Sequence, residues 1–160
     1  RPDITLRTTL ITGFPTETKE EHAELMSFVE DMKFERLGVF TYSREEDTPA
    51  AGMKPQVPSK IKKARQRELM RLQQSIVFAR NKELVGKTYD VLIEGRMTEE
   101  ENVFVGRTYM DSPSVDGFFF LNYDGELLSG DIIKATVTAA KGYDLIGEMW
   151  KGCGNSESAE

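Results

Sequence analysis

Few residues of this chain have the types and spacing that acid–base, nucleophilic or metal chemistry requires. The 160 residues include one histidine, His22, and one cysteine, Cys153. A lone cysteine permits no internal disulfide and excludes a multi-cysteine metal or iron–sulfur site made by this chain alone. His22 falls in an apolar helical register, which favours a packing role over a general base, and Cys153 is interpreted as an idle thiol rather than a nucleophile. We therefore expect no catalytic residue and no metal site here.

Any functional residue must be positioned by the elements of the fold. The largest group of predicted elements is a set of five consecutive strands at residues 86–150. The runs are 86–96, 102–111, 115–126, 127–140 and 141–150, with turn signals between or within them. Val91 and Ile93 alternate with Leu92 and Glu94, and Val103 and Val105 alternate with Phe104 and Gly106. Without helical patterns between them the strands cannot form β-α-β crossovers, so we expect a five-stranded antiparallel barrel of the OB type, a fold that usually displays a binding face. Alternation places Phe119 opposite Phe118 and Phe120. At least one of these faces is then core, although an aromatic there could also stack on a base.

The predicted barrel is strongly acidic. Residues 86–149 contain 5 basic and 12 acidic side chains, a net charge of −7, whereas residues 1–85 contain 15 and 13. Nucleic-acid phosphates favour a basic protein surface, so this barrel is expected to bind a basic partner. Glu99, Glu100 and Glu101 form either a solvated hairpin tip or a group of charges that steers that partner.

Residues 1–43 read as one β-α-β unit. The strands are predicted at 4–12 and 36–43, and the helix between them follows a Gly13-Phe14-Pro15 turn and begins with a capping box of Thr18 and Glu21. A single such unit has two open edges and a bare sheet face. We therefore expect the chain to be the end of a longer protein; the alternative is a dimer that covers these edges.

Residues 44–85 are predicted to be a linker followed by a long helix from Ser59 to about Glu83. Its apolar stripe runs through Ile61, Ala64 or Arg65, Leu69, Leu72, Ile76 and Ala79, and eight lysines and arginines lie on its other faces. That basic surface is either solvated or binds RNA.

Residues 151–160 are expected to be a disordered tail. No apolar run is long enough to span a membrane and residues 1–10 lack a signal-peptide pattern, so a cytoplasmic location is expected.

The motifs GRTYMDSPSVDG and GDIIKATVTAAKGYDLIGE within residues 86–149 closely resemble the TRAM domain, a small β-barrel. Upstream, TLITGFPTETKEEH, VFTYSREEDTPA and RQRELMRLQQ resemble the last part of the radical S-adenosylmethionine barrel of methylthiotransferases. This implies four parts: residues 1–43 as the end of that (βα) barrel, 44–85 as linker and helix, 86–150 as the TRAM domain, and 151–160 as the tail. YSREEDTPA is most similar to the branch that methylthiolates an aspartate β-carbon in small-subunit ribosomal protein twelve, and a neighbouring branch modifies an adenosine in transfer RNA.

The resemblance also implies cofactors and partners. The whole enzyme would use S-adenosylmethionine and two [4Fe–4S] clusters held by cysteine motifs that are absent here, so this chain alone is expected to bind no cofactor and to be inactive. Its partners would be the missing N-terminal domains and a basic ribosomal protein, in preference to transfer RNA or a membrane. A free-standing TRAM-type binding module is a further alternative.

Several residues would carry binding roles under this resemblance. Gly13, Phe14, Pro15 and Thr16 match a turn near S-adenosylmethionine, although the same residues would make a sharp strand-to-helix turn for structural reasons alone. Arg7 would bind substrate from the strand face it shares with Thr9, or form a structural ion pair. Arg107 would contact substrate or anchor the barrel. Glu99, Glu100 and Glu101 would contact the basic substrate.

Overall fold

A computed structural model describes residues 3–100 and 102–152 of the chain. The chain divides into two compact units, Arg1–Ala79 and Arg80–Glu160. In the described ranges, no helix is both long and apolar enough to cross a membrane. Glu101, Cys153 and all but the first two residues of the predicted tail lie outside the described residues.

The first unit consists of a small parallel sheet and helices. In chain order its elements are β1 (Arg7–Thr12), α1 (Lys19–Met32), β2 (Arg36–Thr41), α2 (Pro49–Gly52) and α3 (Ser59–Glu83), of which α3 continues into the second unit. β1 and β2 pair in parallel, from Arg7 opposite Arg36 to Thr12 opposite Thr41. The predicted capping box is confirmed, because the Thr18 hydroxyl accepts from the Glu21 N–H and the Glu21 carboxylate accepts from the Thr18 N–H.

One face of this sheet carries the core of the first unit. Val39 of β2 packs with Val29 of α1 and with Leu69 and Ile76 of α3. The opposite face, by contrast, remains open. Ile11 and Phe40 are paired there across the two strands, yet they are 57% and 62% exposed.

The buried side of α3 is more polar than its predicted stripe. Ile61 and Ala79 are exposed, whereas Arg65 and Gln73 are buried. The Gln73 amide donates to the Phe34 carbonyl at 2.8 Å, which satisfies a buried donor of α3 with an acceptor in the connection from α1 to β2. The helix is thus held by hydrogen bonds as well as by apolar packing.

The prediction that residues 1–43 form part of a (βα) barrel is wrong for this structure. Barrel strands must be tilted and hydrogen-bonded on both edges, and within the described residues β1 and β2 pair only with each other. They therefore form a separate two-stranded sheet with helices on one face.

The second unit is a closed five-stranded barrel. Its strands are β3 (Thr88–Arg96), β4 (Val103–Arg107), β5 (Phe119–Asn122), β6 (Ile132–Lys141) and β7 (Asp144–Met149), arranged in the order β3-β4-β5-β7-β6. This confirms the predicted barrel and its number of strands. Most of the predicted strands, at 86–96, 102–111, 115–126, 127–140 and 141–150, extend beyond the observed ones. The last predicted strand also runs through Gly142, whose φ of 66° lets β6 reverse into β7.

The prediction that the barrel is antiparallel is also wrong, because β5 and β7 pair in parallel. Every other neighbouring pair is antiparallel. A closed ring with an odd number of strands cannot alternate direction at every step, so at least one parallel pair is required. The barrel is therefore mixed.

The interior of the barrel is filled from all five strands. Its largest buried side chains include Phe104, Phe119, Ile93, Leu121 and Val137. Phe119 is 1% exposed, as the alternation along β5 predicts. Along each strand, the side chains that alternate with these core residues point outward. They form the outer surface of the barrel, where a partner could bind.

Candidate functional site

The turn at Gly13–Thr16 is organised by the next residue, Glu17. Its carboxylate accepts from the Gly13 N–H at 2.6 Å, from the Phe14 N–H at 3.2 Å and from the Thr12 hydroxyl at 3.2 Å. The Thr16 N–H donates to the Pro55 carbonyl at 2.9 Å. The backbone donors of this turn are thus used within the chain, which leaves the exposed side chains of Phe14 and Thr16 as its surface for a ligand.

Gly13 is needed at this turn for two reasons. Its φ is 72°, in the left-handed region that favours glycine, and a Cβ at this position would collide with the Lys62 side chain. Lys62 in turn donates to the Tyr42 carbonyl at 2.9 Å and lies 4.7 Å from the centre of the Tyr42 ring. A purely structural role therefore accounts for this glycine, and binding of S-adenosylmethionine by Gly13, Phe14, Pro15 or Thr16 stays a prediction.

Arg65 connects α3 to the same turn. Its guanidinium lies 2.7 Å from Glu17 Oε1 and donates to the carbonyls of Glu17 and Thr18 at 3.1 and 2.9 Å. The side chains of Arg65 and Glu17 are 8% and 12% exposed. A buried charge is costly unless it is paired and hydrogen-bonded, and this pair meets that condition on both sides.

His22 lies next to this ion pair. Its Nε2 is 2.9 Å from Glu68 Oε2, and its Nδ1 is 3.8 Å from Glu17 Oε1. A carboxylate partner is therefore present that the sequence did not suggest, because Glu68 is 46 residues away. The imidazole is largely buried, so it links α1 to α3 and offers a reactant little access.

Arg7 lies on the open face of β1 together with Thr9 and Ile11. This agrees with the predicted sharing of a strand face by Arg7 and Thr9. Its role in substrate binding stays a prediction.

Arg107 lies in a tightly packed part of the barrel wall. Its Nε donates to Glu94 Oε1 at 2.9 Å, and its Nη1 is 3.5 Å from the Asp111 carbonyl. The next residue, Thr108, is buried and donates to Asp111 Oδ2 at 2.8 Å. These contacts support an anchoring role for Arg107, and a contact with substrate stays a prediction.

The acidic tip between β3 and β4 contains Glu99 and Glu100, both exposed, and Glu101, which lies outside the described residues. The Glu100 carbonyl accepts from the Val103 N–H at 3.2 Å and thereby closes the turn. The two described carboxylates are placed where a basic partner could reach them, but this steering role also stays a prediction.

An aromatic and apolar surface covers the outside of β4, β5 and β7. Val105, Phe120 and Ile146 are consecutive cross-strand partners and point away from the core. Phe118 is 41% exposed, and its ring centre lies 6.1 Å from that of Phe120. Alternation in the sequence predicts that Phe119 lies on the opposite face from Phe118 and Phe120. It does not predict that Val105 and Ile146 lie beside Phe120, because that depends on the order of the strands.

One side chain of the barrel has a shifted pKa. Partial burial, and to a smaller extent the neighbouring Tyr109, raises the pKa of Tyr89 above its usual 10.0. The two rings lie 6.4 Å apart. The Tyr89 phenol is therefore neutral at physiological pH and adds no charge to the surface.

In residues 3–100 and 102–152 no three histidine, cysteine, aspartate or glutamate side chains are grouped to hold a metal ion.

The sequence analysis did not identify Glu17, although its carboxylate makes several of the hydrogen bonds at the turn. The available signal was a carboxylate directly after a Gly-Phe-Pro-Thr turn and next to the N-cap Thr18.

The TRAM domain family matches residues 85–149, which contain all five barrel strands. The ribosomal protein uS12 methylthiotransferase RimO of Lachnoclostridium phytofermentans is 58% identical over 146 residues, covering 91% of this chain and 33% of the relative. Proteins of the same name from a Thermoanaerobacter species and from Clostridium botulinum are 48% and 50% identical over 147 residues, covering 92% of this chain and 33% and 32% of the relatives.

The chain thus spans about a third of the length of the curated relatives it matches. The similarity extends through both units, and it confirms the resemblance to methylthiotransferases of the ribosomal-protein branch. Residues 85–149 match the TRAM domain family, and most of the chain is similar in sequence to part of ribosomal protein uS12 methylthiotransferases.

Proposed function

We propose that this chain is the substrate-recognition part of a methylthiotransferase that modifies ribosomal protein uS12, and that its acidic barrel binds this basic protein. The relatives supply the name of the substrate. The family resemblance implies the reaction, transfer of a methylthio group to an aspartate β-carbon. The chain itself supplies the recognition surface.

The charge of the barrel is the observation that carries this proposal. Residues 86–149 have a net charge of −7, and the described cations are partly neutralised already. Arg107 is paired with Glu94 and Lys134 with Asp90, each at 2.9 Å. A surface of this sign attracts a basic protein and repels a polyanion such as transfer RNA.

The implied cofactors differ in how well they fit this chain. A [4Fe–4S] cluster requires several cysteine thiolates, and the chain has one cysteine, so the clusters do not fit here and no step is derived through them. S-adenosylmethionine could contact the exposed Phe14 ring beside the Gly13 turn, while Glu17 and Lys62 keep the backbone of that turn in place. A contribution of Gly13, Phe14, Pro15 and Thr16 to its binding is part of this proposal.

The test is parallel binding of the 160-residue chain to purified uS12, to transfer RNA and to an unrelated protein of equal positive charge. Isothermal titration at about 50 and about 300 mM salt separates specific from merely electrostatic binding. Binding to uS12 that exceeds binding to both competitors and weakens with salt supports the proposal. Equal affinity for the unrelated basic protein would contradict it.

A second candidate, recognition of transfer RNA, is favoured by one observation. Four exposed basic residues, Lys60, Lys63, Arg67 and Arg71, follow each other at intervals of three or four along α3 and so lie on one side of the helix. Phosphate contacts of this kind make binding strongly salt-dependent. Tighter binding of transfer RNA than of uS12, lost when these four residues are changed to Gln, would establish this candidate instead.

A further inference from the structure

The outer surface of β5 and β7 combines aromatic rings with carboxylates in register. Phe118, directly before β5, and Phe120 and Asn122 of β5 alternate outward, and on β7 Asp144, Ile146 and Glu148 do the same. Phe120 is the register partner of Ile146 and Asn122 that of Glu148. Because alternate residues of a strand lie about 7 Å apart, the two carboxylates of β7 flank an apolar centre.

We propose that this surface, defined as Val105, Phe118, Phe120, Asp144, Ile146 and Glu148, binds a lysine- or arginine-rich segment of the protein substrate. The inference rests on the proposed function and assigns its docking surface to one side of the barrel. The bound segment lies along β5 and β7, with basic side chains over the two phenylalanine rings and their charges directed to the carboxylates.

The aromatic pair suits such side chains. Phe118 and Phe120 are tilted by 54° at a centroid separation of 6.1 Å, so they present neighbouring faces and edges to solvent. A cation over an aromatic face is attracted by the ring quadrupole, and the aliphatic stem of lysine or arginine packs on the same apolar area. Val105 and Ile146 extend this area on both sides of Phe120.

The charges next to the rings determine the class of partner. Asp144 is oriented by the Phe118 N–H, which donates to its Oδ1 at 2.9 Å. Glu148 is exposed and, among the described residues, has no basic partner. Arg107 at the other margin is neutralised by Glu94. Lys141, opposite Asp144 in register, forms no ion pair with it in the described part of the chain. Lys134, two residues from Thr136, the register partner of Glu148, is paired with Asp90.

Exposed aromatics on this side of an OB-type barrel could alternatively stack on the bases of single-stranded nucleic acid. Such a site needs basic residues along the path of the phosphates, and here the residues that flank the rings on β7 are acidic. The surface chemistry therefore favours a cationic peptide.

The experiment measures binding of the 160-residue chain and its variants to three probes: purified uS12, a synthetic peptide of mixed lysine and arginine, and single-stranded RNA. Phe118→Ala with Phe120→Ala is expected to weaken uS12 binding about 10-fold or more, and Glu148→Gln about 3-fold at low salt. Leu128→Ala and Glu126→Gln are the matched controls. Leu128 is an exposed apolar loop residue. Glu126 is an exposed carboxylate in the loop between β5 and β6, outside the surface as defined, so Glu126→Gln removes the same charge as Glu148→Gln.

Glu148→Gln changes only an exposed charge, so it tests the surface even if the double phenylalanine variant proves poorly folded by circular dichroism. Unchanged uS12 binding by Glu148→Gln and by the folded phenylalanine variant would overturn the docking surface and leave the proposed function standing. A wild-type chain that binds the peptide, but not uS12, with loss in these variants, would overturn the proposed function alone. Binding of RNA in preference to both basic probes, or of none of the three, would overturn the docking surface.

Discussion

Glu17 holds together the junction between β1 and α1 because one carboxylate serves four donors. It accepts from the Gly13 and Phe14 N–H groups, the Thr12 hydroxyl and the Arg65 guanidinium. The first three fix the turn, and the last fastens α3 to it. If this turn contacts S-adenosylmethionine, as proposed, Glu17 acts as a positioning residue for Phe14.

Replacing Glu17 is therefore expected to destabilise the first unit. Glu17→Ala leaves the buried Arg65 without its carboxylate, so we expect a loss of about 3–5 kcal/mol in the free energy of unfolding, measured by urea denaturation. Glu17→Gln keeps the shape and some acceptors and is expected to lose less. The control Glu20→Ala alters an exposed carboxylate on the first turn of α1. A loss below about 1 kcal/mol for Glu17→Ala would show that Arg65 is solvated.

Tyr89 gives the barrel a pH dependence at alkaline pH. Its raised pKa means that the folded state holds the phenolic proton more tightly than the unfolded state. The corresponding stability is fully present below pH 10.0, the unperturbed value, and is lost as the pH rises through the folded pKa. Tyr89→Phe should therefore flatten the decline in stability above pH 10.0.

Ultraviolet absorbance of tyrosinate provides the direct measurement. Tyr89→Phe should remove a late step of the titration, and Tyr109→Phe should move that step to lower pH, because Tyr109 contributes to the shift. Tyr143→Phe, on an exposed ring, is the control and should leave the late step in place. A titration curve unaffected by Tyr109→Phe would mean that burial alone raises the pKa.

At the scale of elements, β7 depends on a glycine that faces the barrel interior. A Cβ on Gly147 would lie 2.5 Å from the Thr136 carbonyl oxygen of β6 and would also meet the Phe119 ring. Neither the backbone of β6 nor the core ring can move freely, so Gly147→Ala is expected to lower the free energy of unfolding by about 2–3 kcal/mol. Thermal or urea denaturation measures this change. Gly95→Ala is the matched control, since no atom lies within 4 Å of its added Cβ. Similar losses in the two variants would contradict the packing argument.

The elements themselves were largely predictable, because local signals specify them. The capping box at Thr18, the bounds Ser59–Glu83 of α3 and the five barrel strands all follow from periodicity and turn residues. The parallel pair β5–β7 follows from closing an odd number of strands, a global constraint that no single segment carries.

The contacts at the candidate sites were less predictable. Arg65 appeared both in the apolar stripe of α3 and among its basic residues, and only the position of Glu17, 48 residues away, decides that it is buried. The surface around Phe120 likewise depends on Val105 and Ile146, which come from different strands. Such long-range neighbours are determined by topology and register, which lie beyond local sequence patterns.

At the scale of the whole molecule, the two units carry different kinds of surface. The barrel is acidic with apolar patches, whereas the first unit combines an open apolar sheet face with a basic helix. This chain covers about a third of its relatives' length, so binding is the property that can be assayed on it directly, and the proposed reaction has to be tested in a longer protein.

The open sheet face leads to a prediction about self-association. Ile11 and Phe40 form an exposed cross-strand pair, and in the described residues both strands are edges. Apolar patches beside unpaired strand edges promote association, so the 160-residue chain should sediment as concentration-dependent oligomers, and Ile11→Thr with Phe40→Thr should shift it towards monomer. Because threonine suits strands and neither residue belongs to the core, unfolding free energy should change by less than about 1 kcal/mol. Val115→Thr, which alters a similarly exposed residue of the barrel unit, should leave sedimentation unchanged; an equal shift in that control would assign the association to another surface.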